Sequence, residues 1–290
     1  MKIQYKNITL QAISTGGQYT SLILPTLKLG IDIGIASEDV MRCNRIFITH
    51  PHIDHIAGII RHCSSREMMS MDAPTYYIGE EHRNAFEDMM NSWRRLNRSF
   101  LPYKIEVMHP KRDIIINNQY FIRAFRSIHK VPCLGYMLYE KRRKLKSEFI
   151  GIPGHEIARM REHSVELYDH TEVPIFAYTG DTTIDVMKKE ESLQLCQFLT
   201  IEITFFDDRV TPENARKNGH IHIEHVAQNA HLFKNECILV MHLSSRYTIK
   251  EAQDAIQKYL PADLSSRITV LPNYSPFKAL KEKYEREQAV

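Results

Sequence analysis

The chain has 290 residues, 43% of them apolar, with 38 basic and 35 acidic side chains and a formal net charge of +3. That composition supports a sizeable core, holds no apolar stretch long enough to span a bilayer, and lacks the overall positive excess of a simple polyanion binder. Five scattered cysteines (Cys43, Cys63, Cys133, Cys196, Cys237) form no CxxC pair, which points to a reducing compartment and away from cysteine as the main metal ligand. Met1-Lys2-Ile3-Gln4-Tyr5 leads directly into strand-like sequence, so the expectation is a cytoplasmic protein without a targeting segment.

Strands are predicted over residues 3–13, 21–24 and 28–33, separated by Gly16-Gly17 and by Pro25. Asp32 is either a buttress for the loop beyond the next strand or a turn residue beside Gly34. That next strand is the apolar run Ile46-Phe47-Ile48, and it delivers Thr49-His50-Pro51-His52-Ile53-Asp54-His55. Three imidazoles and a carboxylate packed this densely are costly unless something binds them, and they are a preferred ligand set for zinc or a similar metal. Extended backbone sends His50 and His52 the same way. The turn beyond them lets Asp54 and His55 aim at a second, neighbouring position, and a helix is expected from about residue 57.

Residues 74–79 read as a strand and 80–96 as a helix, with Phe86, Met90, Trp93 and Leu96 at helical spacing for core packing. Short strands follow over 103–108, 114–116 and 120–127. His129 stands just past them, where the first metal still lacks a ligand, and a strand resumes over 135–139. Lys141-Arg142-Arg143-Lys144-Leu145-Lys146 is the densest charge run, either a solvated helix face or a grip for a polyanion. Gly151-Ile152-Pro153-Gly154 then breaks the chain before a short basic helix through Arg159 and Arg161.

A buried strand over 174–178 ends in Thr179-Gly180-Asp181-Thr182, where the glycine permits close backbone approach and Asp181 can bridge two metals. A strand over 196–206 carries Glu202 among Leu199, Ile201, Ile203 and Phe205; a carboxylate there needs a partner or a raised pKa. Asn218-Gly219-His220-Ile221-His222 leads into a helix with Ile223, Val226, Ala227 and Ala230 on one face. Residues 237–241 form a core strand ending at His242. Thr248 and Glu251 make a capping box for a further helix, and the charged tail from Phe277 is predicted helical.

Together these strand ends offer His50, His52 and His129 to one metal and Asp54, His55 and His242 to another, with Asp181 between. Coordination lowers the pKa of water toward neutrality, so a hydroxide between the metals would be the nucleophile. Two adjacent cations also stabilise both the attacking and the leaving oxygen at phosphorus. Few cysteines and many carboxylates favour hydrolysis over redox work.

T-H-P-H-I-D-H-I-A-G, residues 49–58, resembles the signature of the metallo-β-lactamase superfamily. H-K-V-P-C-L-G-Y, Y-T-G-D-T, I-E-I-T-F, N-G-H-I-H and M-H-L-S-S-R-Y follow in an order that resembles ribonuclease Z, the endonuclease that trims the 3′ trailer from precursor tRNA. The resemblance runs from the first strand to about Tyr247. It implies an α/β fold, a four-layer αβ/βα sandwich over residues 1–290, as a single domain with a basic arm inserted at about 140–170. It also implies two Zn2+ per chain, with Mn2+ or Fe2+ acceptable to the same ligands.

The metal ligands implied are His50, His52, Asp54, His55, His129, Asp181 and His242, with Asp54 doubling as the base that orients water. Glu202 matches the acidic residue of the family's H-E-A-T-like segment and His220 the histidine of its G-H-S-T-like segment. Glu202 would hold His220 protonated to donate to the departing 3′ oxygen; His222 is a rival for that role. No long glycine- and proline-rich arm is evident. Instead the basic run and Glu148-Phe149-Ile150-Gly151 resemble the shorter arm of short plant-type forms. That implies Lys141, Arg142, Arg143, Lys144 and Lys146 as RNA-binding residues, and a homodimer in which one subunit's arm serves the other's site. The alternative is a small-substrate phosphodiesterase or lactonase-type hydrolase of the same fold.

Overall fold

Strand periodicity decides the layers, because successive side chains in a strand leave by opposite faces. The computed structural model describes residues 1–163 and 165–275 as two seven-stranded sheets. The first runs in order β1 (Lys2–Tyr5), β2 (Ile8–Thr15), β3 (Tyr19–Leu24), β4 (Leu29–Ile33), β5 (Arg45–Phe47), β6 (Thr75–Gly79) and β7 (Lys104–Met108). The second comprises β8 (Asp113–Ile115), β9 (Tyr120–Ser127), β10 (Cys133–Leu145), β11 (Tyr168–Tyr178), β12 (Phe198–Glu202), β13 (Cys237–Met241) and β14 (Ile268–Val270), again neighbours in sequence order.

Phe47 points between the sheets with Leu22, Tyr136, Phe176 and Phe198. Ile46 and Ile48 point outward against Ile59, Cys63 and Met90 of the flanking helices Ile59–Met68 and Arg83–Asn97. On the other sheet Leu199 and Ile201 face outward against Val226 and Ile256. Three apolar clusters thus separate four layers, the expected αβ/βα sandwich.

The strands β4 to β7 are mutually parallel, as are β11 to β14. Their C-terminal ends therefore open on one edge, where loops carry the polar residues that the packed layers cannot accommodate. There β5 delivers His50, β11 delivers Asp181, β12 ends in Glu202 and β13 delivers His242. Gly16 bridges to Ser244 and stitches the two sheets together beside these loops.

Four expectations need correction. On the helix Arg83–Asn97 only Phe86 and Met90 are buried, and Trp93 and Leu96 face solvent at 44% and 76% exposure because the helix packs on the sheet by one narrow face. Residues 3–13 are two strands, because Lys6 at φ +47° turns the chain and β1 folds back antiparallel on β2. The strand at 196–206 is confined to β12, since the chain must leave the sheet at Glu202 to bring Phe205 into a bridge with His222. The basic run is not helical: β10 continues through it, pairing Lys141 with Glu172, Arg142 with Thr171, Arg143 with His170 and Lys144 with Asp169 of β11. Register set in the core simply propagates outward. Neighbouring β9 ends at Tyr120, opposite Glu140, so beyond it β10 and β11 form a two-stranded ribbon. The ribbon is tipped by the turn Ser147–Phe149 and the helix Gly154–Glu162.

At about 3.3 Å per residue, Lys141 lies roughly 26 Å along β10 from Cys133, so the ribbon leaves the edge opposite the ligand loops. The strand β14 went unpredicted because three residues carry too little periodicity to read. No helix among the described residues is long and apolar enough to cross a membrane. The tail from Phe277 lies outside the described residues.

Candidate metal centre

Loops from both sheets converge on one cluster. His50, His52, His129 and Asp181 each bring a ligand atom within 4.8 Å of the others, and so do Asp54, His55 and His242. Asp181 faces both sets: Oδ1 lies 3.4 Å from His55 Nε2, while Oδ2 lies 3.4 Å from His242 Nε2 and 3.7 Å from His50 Nε2. The seven ligand candidates read from the sequence are all brought together. A third grouping, Asp181, His220 and His242, overlaps the second.

The far side of each ring explains its orientation. His50 Nδ1 donates to Thr49 Oγ1 at 3.0 Å, His55 Nδ1 to Asp32 Oδ2 at 2.7 Å, His129 Nδ1 to the Gly219 carbonyl at 2.9 Å and His242 Nδ1 to Thr204 Oγ1 at 3.0 Å. These bonds turn four Nε2 atoms inward and set the tautomer, as outer partners of metal ligands do. His52 is reversed, its Nδ1 lying 2.9 Å from His50 Nε2 and 3.3 Å from His129 Nε2.

Burial, reinforced by neighbouring imidazoles, holds His50 and His52 below their usual pKa, and burial does the same at His129. These neutral rings crowd three nitrogens around one point, and His52 Nδ1 carries at most one proton to share between His50 Nε2 and His129 Nε2. At His55 burial is outweighed by Asp181 and Asp32, which hold the ring well above its usual pKa; a metal would take that proton's place. His55 Nε2 and Asp181 Oδ1 are buried and face each other at 3.4 Å without a well-formed hydrogen bond. Buried polar atoms left unpaired are expensive. A divalent cation answers both the crowding and the orphaned atoms, so the residues present fit a metal.

Asp32 is the buttress rather than a surface turn residue. Held at φ +56° and fully buried, it accepts from Thr49 N and Thr49 Oγ1 at 2.8 Å each and from His55. Burial pushes its carboxyl up against the pull of His55 and Thr49. Asp54 Oδ2 accepts from the Gly17 amide at 3.0 Å. Burial opposes its ionisation, but His242 and His55 hold the carboxyl well below the usual range. Sequence reading missed Thr49, Thr204 and Gly17. The available signal was position: Thr49 adjoins His50, and Thr204 stands two residues beyond Glu202.

Glu202 has partners for both oxygens. Oε1 accepts from His220 Nδ1 at 2.8 Å and Thr182 N at 3.1 Å; Oε2 accepts from Thr204 Oγ1 at 2.6 Å and Ile221 N at 3.3 Å. Burial alone would lower the His220 pKa, but the Glu202 charge and hydrogen bond, with Asp181 and Asp54 behind, raise it to about 9. His222 is turned elsewhere. It caps the helix Ile223–Gln228, with Nδ1 accepting from Glu224 N at 3.2 Å and Nε2 3.3 Å from the Asp207 carbonyl.

Gly219 tests the loop. It sits at φ +78°, and a Cβ would come within 2.7 Å of His129 Nδ1. Gly219→Ala should cost about 1–2 kcal/mol from the left-handed backbone alone and loosen metal binding by displacing His129. Urea unfolding of the metal-free protein and chelator competition read the two effects separately.

No family model matches the chain. It is 34% identical over 271 residues to tRNase Z TRZ1 of Arabidopsis thaliana, covering 93% of this chain and 96% of that protein. Among solved structures, the metallo-beta-lactamase fold protein YhfI of Bacillus subtilis aligns with a TM-score of 0.60 at 13% identity, covering 92% of this chain and 97% of its own. The short form of human tRNase Z aligns with a TM-score of 0.59 at 16% identity and the same coverage. At such identities these two structures establish the metallo-β-lactamase fold.

Proposed function

The chain belongs to the tRNase Z family, and from that premise we propose that it is a metal-dependent endoribonuclease that removes the 3′ trailer of precursor tRNA. The cut falls after the discriminator base and leaves a 3′ hydroxyl. The observation that carries this reading is the Glu202–His220 pair standing beside a complete seven-residue ligand set.

His50, His52 and His129 would hold one Zn2+ and Asp54, His55 and His242 another, with Asp181 facing both sets; Mn2+ or Fe2+ would suit the same donors. When bound, the metals supply an activated water at neutral pH and neutralise charge on the scissile phosphodiester. Asp54, anchored by the Gly17 amide, would orient the attacking water and accept its proton. His220, kept protonated by Glu202, donates to the departing 3′ oxygen.

The ribbon binds RNA at a distance from the chemistry. Alternation puts Lys141 and Arg143 on one face and Arg142 and Lys144 on the other, with Lys146 at its tip; all are exposed except the half-buried Lys146. Because the ribbon leaves the edge opposite the centre, it suits the elbow of a tRNA whose end sits in a second subunit of a homodimer. The described residues act as one domain, with this arm at about 140–170. The cysteines Cys43, Cys63, Cys133, Cys196 and Cys237 are free thiols, which suits the cytoplasm.

The test is a labelled precursor tRNA incubated with the protein, with and without added zinc, and the cut mapped on a sequencing gel. Metal-dependent cleavage at the discriminator supports the reading. Hydrolysis of a small phosphodiester without cleavage of the precursor would favour a small-substrate hydrolase instead.

A second prediction concerns the arm. Replacing Lys141, Arg142, Arg143, Lys144 and Lys146 with Gln should raise KM for precursor tRNA by about 10-fold or more and flatten its salt dependence, because fewer counterions are released. Hydrolysis of a small phosphodiester should hold. An unchanged salt slope would remove the arm from RNA binding.

A further inference from the structure

Two relays of the same kind stand on opposite sides of the centre. In the first, Asp32 accepts from Thr49 Oγ1 at 2.8 Å, and Thr49 Oγ1 accepts from His50 Nδ1 at 3.0 Å. In the second, Glu202 accepts from Thr204 Oγ1 at 2.6 Å, and Thr204 Oγ1 accepts from His242 Nδ1 at 3.0 Å. A hydroxyl has one proton, and beside a carboxylate that proton goes to the carboxylate. The lone pairs of Thr204 are then left for the imidazole, which keeps its proton on Nδ1 and presents Nε2 to the metal.

Each carboxylate also holds a second histidine, and there the relays differ: Asp32 holds His55, a candidate ligand, whereas Glu202 holds His220, the proton donor. Thr204 itself is buried and cannot drift. Its amide donates to the Ile221 carbonyl at 3.1 Å, next to His220, and its carbonyl accepts from Ser244 N at 3.2 Å, two residues past His242.

We propose that Thr204 is a positioning residue whose hydroxyl joins Glu202 to His242, so that one carboxylate orients both a metal ligand and the proton donor His220. This rests on the roles assigned above to His242 and His220. The consequence is that two functions are lost together when the hydroxyl goes. Without it, His242 loses the acceptor that sets its tautomer, and Glu202 Oε2 loses its shortest hydrogen bond.

The experiment compares wild type, Thr204→Val, Thr204→Ser and His242→Ala by chelator competition for zinc and by kcat and KM on precursor tRNA at saturating zinc. Thr204→Val, close to isosteric but without the hydroxyl, should bind zinc about 10–100-fold more weakly, the usual cost of losing an outer partner of a ligand. Its kcat should stay reduced when zinc is saturating, with KM little changed, and Thr204→Ser should restore both within a few-fold. Wild-type affinity and kcat in Thr204→Val, while His242→Ala loses zinc, would overturn the proposal and leave the centre intact. Failure of the serine to rescue would also overturn it, since the methyl packing and not the hydroxyl would then matter. Unchanged zinc affinity in His242→Ala would instead overturn the ligand assignment beneath it.

Discussion

His220→Ala is expected to slow cleavage of precursor tRNA by about 10²–10⁴-fold, the range for losing a positioned general acid, with metal content and KM near wild type. The expectation follows from the 2.8 Å bond between His220 Nδ1 and Glu202 Oε1, which holds the ring beside the ligands with its proton retained. The pH dependence has a definite sign. The His220 pKa is raised to about 9, so the donor is protonated at neutral pH and is lost as pH rises through that value. Bound cations would neutralise Asp181 and Asp54, two of the charges that raise it, and so would move the alkaline limb of kcat to lower pH. That limb should vanish in His220→Ala. Loss of a metal ion from the variant would place His220 in the third grouping, as a ligand, and would remove its role as acid.

Asp181→Ala should produce the other large effect: metal affinity lower by about 10²-fold or more, beyond what an outer partner contributes, and cleavage reduced accordingly. Asp181 is 2% exposed and reaches histidines of both ligand sets. Asp54, by contrast, makes its ion-pair contacts with His55 and His242 of one set. Because metal binds the folded protein and not the unfolded chain, occupancy at 1,000 times Kd stabilises the fold by about 4 kcal/mol. Adding a chelator should therefore lower the Tm of wild type by several degrees and that of Asp181→Ala much less. Equal shifts in both proteins would show that Asp181 does not bind the metal.

The ligands were legible because their chemistry is local. Three imidazoles and a carboxylate in Thr49-His50-Pro51-His52-Ile53-Asp54-His55 have few uses besides a metal, and their strand could be read from Ile46 and Ile48 alternating with Phe47. His129, Asp181 and His242 were singled out because each follows a strand, His129 also because the first candidate set lacked a third member, and the structure brings all three to the same edge. The basic run was harder. Charge density alone fits a helix face or a strand equally well, and only the register between β10 and β11 turned it into a ribbon.

By itself the sequence marked the candidate ligands and Glu202, since each is a polar residue type at or just beyond the end of an apolar run, and the resemblance to the metallo-β-lactamase superfamily implied the layered fold. Which histidine answers Glu202 was decided by the tertiary structure, which turns His220 toward it and spends His222 on a helix cap. The supports of the ligands were decided there too. Thr204 meets His242 across 38 residues of chain, Gly219 meets His129 across 90, and His242 approaches Asp54 across 188. The first two contacts depend on how strands and loops of the second sheet are arranged and the last on how the two sheets stack, and no local pattern of residue types records either.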